Sequence, residues 1–410
     1  MATKYGNAIV GQSGGPTSVI NASLAGVFRT AKDLGYQKIY GMRNGIEGLL
    51  KERYVDLSEH IRTGLDLELL KRTPSTYLGS CRYKLPFAEQ DGAVYEKLFA
   101  ILKKLDIRHF FYIGGNDSMD TIAKLSDYAK DSDITFIGIP KTIDNDLGMT
   151  DHTPGYGSAA KYIAASMKEI VRDTNVYDME SIGVVEIMGR NAGWLAAASV
   201  LSRGEDCDGP DLIYLPESVF DYNDFLSRIQ ELKKRKKALV IAVSEGIRTA
   251  DGAYVCEQNK GGVSLMDPFG HKLLGGTALY LSDFITRELG IKSRGIVFST
   301  LQRCASHLVS RCDITEAYAV AAHGVRIAGL GETGKMTTLL RIGNDPYQTQ
   351  TGCCDVREVA NFEKTVPQEW ISAGGTDVSK AFVDYAKPLI IGELDPFMVD
   401  GLPRHSYLPN

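Results

Sequence analysis

Asn7-Ala-Ile-Val-Gly-Gln-Ser-Gly-Gly-Pro-Thr-Ser18 passes from an apolar run at residues 8–10 through a glycine-rich turn into a helical pattern that extends to about residue 34. The same succession of short apolar run, turn and helical pattern returns at residues 38–42, 109–113, 135–139, 183–188, 212–215, 239–243 and 295–299. Strands alternating with helices predict parallel sheets flanked by helices, an α/β fold of two doubly wound, Rossmann-like sheets. A chain of 410 residues has room for two such domains at about 100–200 residues each. A second series of units opens with the helical pattern at residues 158–171, which predicts a boundary near residue 155. Residues 191–201 also read as helical, whereas residues 246–293 and those after about 340 read as loop-rich. Ligands of doubly wound sheets sit beyond the carboxyl ends of the strands, and the glycine and carboxylate clusters of this chain fall there.

Composition narrows the classes of function. The formal net charge of -5 gives no global basic field for nucleic acid or an anionic membrane, so an anionic ligand must be met by local cations. No run approaches the roughly 18 apolar residues of a membrane helix, and the first residues carry no signal-peptide core, so a cytoplasmic protein is expected. The seven cysteines, without metal-ligand spacing, are expected to be free thiols. The seven histidines form no zinc motif. Lys233-Lys-Arg-Lys-Lys237 reads as a solvated run at a helix end.

Two glycine loops share one context. Gly11-Gln-Ser-Gly14-Gly15 and Gly114-Gly115-Asn116-Asp117-Ser118 each follow an apolar run and open a helix, where backbone amides and the helix N-terminus can cradle phosphate. A tight strand-to-helix turn needs glycine just as much, so either loop alone leaves both readings open. Pro140-Lys141-Thr142-Ile143-Asp144-Asn145-Asp146 is more specific. It sets two carboxylates, a hydroxyl and a lysine at a strand's carboxyl end. A hydroxyl attacking phosphorus needs a proton acceptor, and the phosphoryl oxygens need cations; Asp144 suits the first task and Lys141 the second.

The string Thr142-Ile-Asp-Asn-Asp146, about 25 residues after a Gly-Gly-x-Asp-Ser turn, closely resembles the hallmark of the phosphofructokinase family. Further matches follow in order: Gly79-Ser-Cys-Arg82-Tyr resembles the family's donor-contacting arginine segment, and Met188-Gly189-Arg190 its sugar-contacting turn. Glu245 is similar to the carboxylate that holds the sugar, and Arg294 and Arg303 to arginines that clamp its 6-phosphate. The resemblance, over most of residues 5–330, implies transfer of a phosphoryl group to the 1-hydroxyl of fructose 6-phosphate. Asp144 would be the base, with Lys141, Thr142 and Arg190 completing the catalytic set. It implies a donor site of Gly14, Gly15, Arg82, Gly115, Asp117, Ser118 and Lys141. The sugar site would comprise Thr142, Asp144, Asp146, Met188, Gly189, Arg190, Glu245, Arg294, Thr300 and Arg303. It also implies Mg2+, with Asn116, Asp117 and Asp146 as ligand candidates.

ATP-using members carry glycine where Asp117 and Lys141 stand. Aspartate at the first position puts volume and negative charge where the α-phosphate would lie, a cost of about 1–4 kcal/mol. A lysine at the second supplies a point cation for a short donor without adenosine. The pair is the family's pyrophosphate signature, and the expected donor is inorganic pyrophosphate, with reversible transfer. The alternatives are an ATP-dependent phosphofructokinase and, in another class, a non-catalytic sugar-phosphate-binding subunit, which would have no need of Asp144. Asp117 as a helix cap remains open. Asn116, Ser181 and Thr300 depart from the usual acid, arginine and histidine. The thinner 6-phosphate clamp leaves room for a longer sugar such as sedoheptulose 7-phosphate. The resemblance further implies a donor domain of residues 1–155 plus about 302–370, a sugar domain of residues 156–301 plus the C-terminal tail, and a homodimer or homotetramer.

Overall fold

The computed structural model describes residues 5–258, 274–360 and 362–409. Its strands are β1 (Asn7–Gln12), β2 (Ile39–Met42), β3 (Tyr54–Asp56), β4 (Ile107–Gly114), β5 (Thr135–Pro140), β6 (Ser181–Ile187), β7 (Leu212–Tyr214), β8 (Ala238–Ser244), β9 (Ser293–Val297), β10 (Lys335–Asn344) and β11 (Tyr347–Asp355), apart from two short hairpins near the C-terminus. All eight expected apolar runs are strands. They build two sheets, one of seven strands in the order β11-β10-β5-β4-β1-β2-β3 and one of four in the order β7-β8-β6-β9. The four-stranded sheet is parallel throughout. The larger sheet is parallel from β2 to β10 and antiparallel at both edges, β2–β3 and β10–β11.

Alternation along each central strand splits its side chains between two cores. In the larger sheet Val10, Phe111, Ile113, Ile137 and Ile139 pack under the helices Ile20–Asp33 and Arg311–Gly329. Ile9, Phe110, Tyr112 and Phe136 face the opposite layer with Gly92–Lys104 and Asn116–Tyr128. Both faces are covered, so these strands read as continuous apolar runs. Gly26 lets the first two helices touch: a Cβ there would sit 2.5 Å from the Tyr318 carbonyl oxygen. The smaller sheet is sandwiched in the same way, with Tyr156–Thr174 and Lys380–Ala386 on one side and Tyr222–Lys233 and Thr277–Leu289 on the other.

Three sequence readings need correction. The tail after about residue 340 is not loop-rich: β10 and β11 form a long hairpin that extends the larger sheet, and a helix follows at Lys380–Ala386. Polar residues alternate with apolar ones along this edge pair, which hid it from a search for apolar runs. Within 246–293, Thr277–Leu289 is a three-turn helix; residues 259–273 lie outside the described residues. The helical pattern at 191–201 shortens to Trp194–Ala198 and a 3₁₀ turn, Ser199–Ser202. All seven cysteines are free, as expected. Each lysine of the run 233–237 has a carboxylate partner, Lys236 bridging Asp208 and Asp211 at 2.8 and 2.6 Å.

Candidate active site

The carboxyl ends of β1, β4 and β5 face those of β6 and β8 across a cleft of about 580 Å³. Its walls include Gly14, Gly15, Arg82, Gly115, Asn116, Asp117, Ser118, Lys141, Thr142, Asp144, Asp146, Met188, Arg190, Glu245 and Arg303. Residues drawn from seven separate stretches of sequence thus share one space. Gly189 sits immediately behind it, donating its N–H to Glu245 Oε1 at 3.4 Å. Arg294 and Thr300 are not brought in. Arg294 is exposed on the edge strand β9, paired with Gly183 near the amino end of β6, whereas the cleft gathers residues beyond the carboxyl ends. Thr300 is likewise exposed.

The first glycine loop is tied down before any ligand arrives. Ser13 N–H donates to the Ile113 carbonyl at 2.9 Å and Gly14 N–H to that of Cys81 at 3.1 Å. Ser80 Oγ donates to the Gly14 carbonyl at 2.6 Å. At the second loop, Gly114 is obligatory, because a Cβ would lie 1.9 Å from Ser118 Oγ. Gly115 is the N-cap of the helix Asn116–Tyr128, which carries no side-chain cap. Asp117 therefore stands in the first turn rather than capping it, and its side of the turn faces the cleft beside a helix N-terminus that favours anions. The Asn116 amide nitrogen donates to the Val359 and Phe362 carbonyls at 3.0 and 3.2 Å, so the side chain ties the loop to the C-terminal segment.

The carboxylate motif leaves β5 with Lys141 N–H on the Gly114 carbonyl at 3.0 Å. Lys141 is 3% exposed, and its Nζ donates to the Gly15 carbonyl at 2.7 Å, bridging the two loops. Burial pushes its ammonium down to about 8, against the pull of Asp144 and Asp146. Burial raises the Asp144 carboxyl, although Lys141, Thr142, Arg190 and Arg303 oppose it. Thr142 Oγ1 accepts from Asp144 N–H at 3.0 Å and points back at its carboxylate, 3.4 Å away. Asp146 is pushed up to about 7 by burial and by Asp144, and Glu245 to about 7 chiefly by burial. Asp146 Oδ1 and Arg190 Nε are buried without any hydrogen-bond partner. Three crowded carboxyls, a neutralising lysine and two orphaned polar atoms describe a site built for charge that the protein alone does not supply.

Residues 7–327 match the family described as Phosphofructokinase. The chain belongs to that family. Among its relatives, the pyrophosphate--fructose 6-phosphate 1-phosphotransferase of Methylococcus capsulatus is 42% identical over 410 residues, covering 98% of this chain and 96% of the relative. A protein of the same name from Halomonas elongata is 40% identical over 408 residues, 98% and 96% of the two chains. The crystal structure of a pyrophosphate-dependent phosphofructokinase from Marinobacter aquaeolei superposes with a TM-score of 0.87 at 37% identity, covering 98% of this chain and 96% of that one. Within this phosphofructokinase-family cleft, Lys84, Asn191 and Glu363 are wall residues that sequence reading did not single out. Lys84 stands two places beyond Arg82 and was within reach of the same motif. Glu363 had no signal, since it arrives from the C-terminal segment through Asn191 Nδ2, which donates to its Oε1 at 3.0 Å.

Proposed function

We infer that this chain transfers a phosphoryl group reversibly between pyrophosphate and the 1-hydroxyl of fructose 6-phosphate, giving fructose 1,6-bisphosphate and phosphate. The observation that carries the reading is the pairing of Asp117 and Lys141 on one wall of the cleft, with Lys141 buried between the two glycine loops. Pyrophosphate lies along that wall, against Gly14, Gly15, Arg82 and the helix start at Gly115-Asn-Asp-Ser118. The sugar phosphate lies opposite, against Met188, Arg190, Glu245 and Arg303. In this arrangement the larger sheet's half holds the donor and the smaller sheet's half the sugar.

Asp144 accepts the proton of the 1-hydroxyl as that oxygen bonds to phosphorus and the bridging P–O bond breaks, releasing phosphate. Burial raises the carboxyl's hold on a proton, which favours Asp144 as acceptor. Lys141, Arg82 and Arg190 neutralise the equatorial and leaving oxygens, which is where most phosphoryl-transfer catalysis resides. Orphaned Arg190 Nε has a partner once a phosphoryl oxygen is present.

Enzymes of this family generally use a divalent metal. Among the described residues no group of three or more His, Cys, Asp or Glu could hold one. Asp146 Oδ1 is buried without a partner and Asp117 faces the same space; two carboxylates plus substrate phosphate oxygens are the donor set that magnesium takes. The residues fit, and we assign Asp117 and Asp146 to Mg2+, which when bound supplies neutralisation of the donor's oxygens. A donor assay decides the reading. Turnover of fructose 6-phosphate with pyrophosphate and magnesium, and at least about tenfold less kcat/KM with ATP, is expected; the reverse preference overturns it.

A further inference from the structure

Asn145 separates the two aspartates of the motif and holds a left-handed backbone, φ 54°, a region asparagine enters more readily than most residues that carry a side chain. Its side chain is fully buried. Oδ1 accepts from Thr153 N–H at 3.1 Å, and Nδ2 donates to Tyr385 Oη at 2.9 Å. The phenol in turn donates to the Asp151 carbonyl at 2.8 Å. One hydroxyl, arriving from 240 residues away, therefore pins both ends of the loop that carries the motif.

Lys364 grips the same loop from a second point. Its N–H donates to the Asp146 carbonyl at 2.7 Å, and its Nζ to the carbonyls of Thr150 and Asp151 at 3.2 and 2.9 Å. Both residues are themselves fixed. Arg341 Nη2 donates to the Tyr385 carbonyl at 3.0 Å, the rings of Trp194 and Trp370 lie 5.4 and 5.2 Å from that of Tyr385, and Trp194 Nε1 donates to the Lys364 carbonyl at 2.9 Å. Neither residue lines the cleft, and both stand beyond residues 7–327 that match the family.

We propose that Tyr385 and Lys364 are positioning residues for phosphoryl transfer: the C-terminal segment holds the Asp144–Asp146 turn at its working geometry without touching substrate. The proposal rests on the reading of Asp144 as the base. A displacement of about 1 Å in a reacting group costs on the order of 100-fold in rate, whereas the sugar contacts Arg190, Glu245 and Arg303 stand on other elements. The loss therefore belongs in kcat and not in the KM for the sugar.

Tyr385→Phe removes one oxygen and keeps the ring. It is expected to lower kcat about 10–100-fold with the KM for fructose 6-phosphate within about twofold. Lys364→Gln should act in the same direction. Phe382→Leu is the control: its ring belongs to the same aromatic cluster, 6.2 Å from Trp194, but it bonds to nothing in the loop, so it should lower the melting temperature while kcat per folded molecule stays within about twofold. Hydrogen exchange without substrate gives a readout independent of the donor: amides of residues 144–153 in Tyr385→Phe should exchange at least about tenfold faster than in wild type. Wild type is assayed in parallel with pyrophosphate and with ATP; turnover with ATP alone sinks the donor reading and leaves the comparison of variants intact on ATP. Unchanged kcat and unchanged exchange in Tyr385→Phe, or an equal kcat loss in Phe382→Leu, overturns the proposal.

Discussion

A single loop carries two buried charge clusters of opposite character. At its start Asp144 and Asp146 face the cleft with Lys141 and Glu245. A few residues on, His152, 1% exposed, donates to Asp151 Oδ2 at 2.8 Å and to Glu316 Oε2 at 2.7 Å. Glu316 Oε1 also accepts from Tyr347 Oη and Thr349 Oγ1 at 2.8 and 2.7 Å, and Arg341 Nε and Nη2 donate to Asp151 at 3.1 and 3.0 Å. Burial opposes every charge there, but the bonds from His152 hold both carboxylates low, and burial of His152 itself is outweighed so that its imidazolium persists to about 9. In the cleft the same residue types fail to satisfy one another. The His152 cluster is complete and joins β10 and β11 to the core; the cleft cluster is incomplete, with Asp146 Oδ1 unpartnered. Completeness of bonding, rather than residue type, separates the structural carboxylates from those of the cleft here.

The comparison breaks most sharply on Asp144. Asp144→Asn should reduce kcat by about 10²–10⁴-fold with an unchanged or higher melting temperature, because a desolvated carboxyl is lost; a near-native rate would falsify its role as base. His152→Leu should do the reverse. Glu316 left without its cation, and Asp151 left with Arg341 alone, cost about 3–5 kcal/mol, or roughly 10 °C in melting temperature at about 2–4 °C per kcal/mol, while kcat of the folded enzyme stays within about threefold. A scan of melting temperature against pH in the ligand-free enzyme sharpens the contrast. His152 binds its proton more tightly folded than unfolded, so its contribution, about 3 kcal/mol at 1.4 per pH unit, is complete below about pH 6.5 and is lost as pH rises through 9. Asp146 and Glu245, also raised, contribute fully below about pH 4 and lose their share as pH rises through 7. Lys141 and Lys364, both held down to about 8 by burial, pull the other way and add stability as pH rises from about 8 towards the unfolded value. His152→Leu should therefore remove the fall between about pH 7 and 9, leave the rise from the lysines and keep the slope below; parallel curves would contradict the assignment. The smallest effect expected is Asp117→Gly, which should improve kcat/KM for ATP by about tenfold, from removal of a 1–4 kcal/mol penalty. No gain with ATP means that Asp117 does not set the donor.

Much of this was legible in the chain itself. Central strands buried on both faces announced themselves as apolar runs, and the motifs beside them, from Gly14 to Arg303, converge on one cleft. Arg294 shows the limit: family register gave its identity, but only strand pairing with Gly183 shows that it stands away from the cleft of its own chain. Glu363, Lys364 and Tyr385 lay in a segment whose one glycine turn, Gly374-Gly375, closes a short hairpin and opens no helix against a sheet, and their relation to the Asp144–Asp146 turn is a tertiary fact. The His152 cluster was invisible for the same reason, since Asp151, His152, Glu316 and Arg341 meet only once β10 joins β5.

The aromatic cluster around Tyr385 gives the molecule an intrinsic optical reporter. The sequence holds two tryptophans, and they sit edge to face 6.1 Å apart, with the Lys364 ammonium 5.3 Å from the Trp194 ring. All ultraviolet emission from indole therefore originates within the segment that grips the motif or one hydrogen bond from it, so the colour and intensity of that light in unlabelled protein report on the packing of that segment.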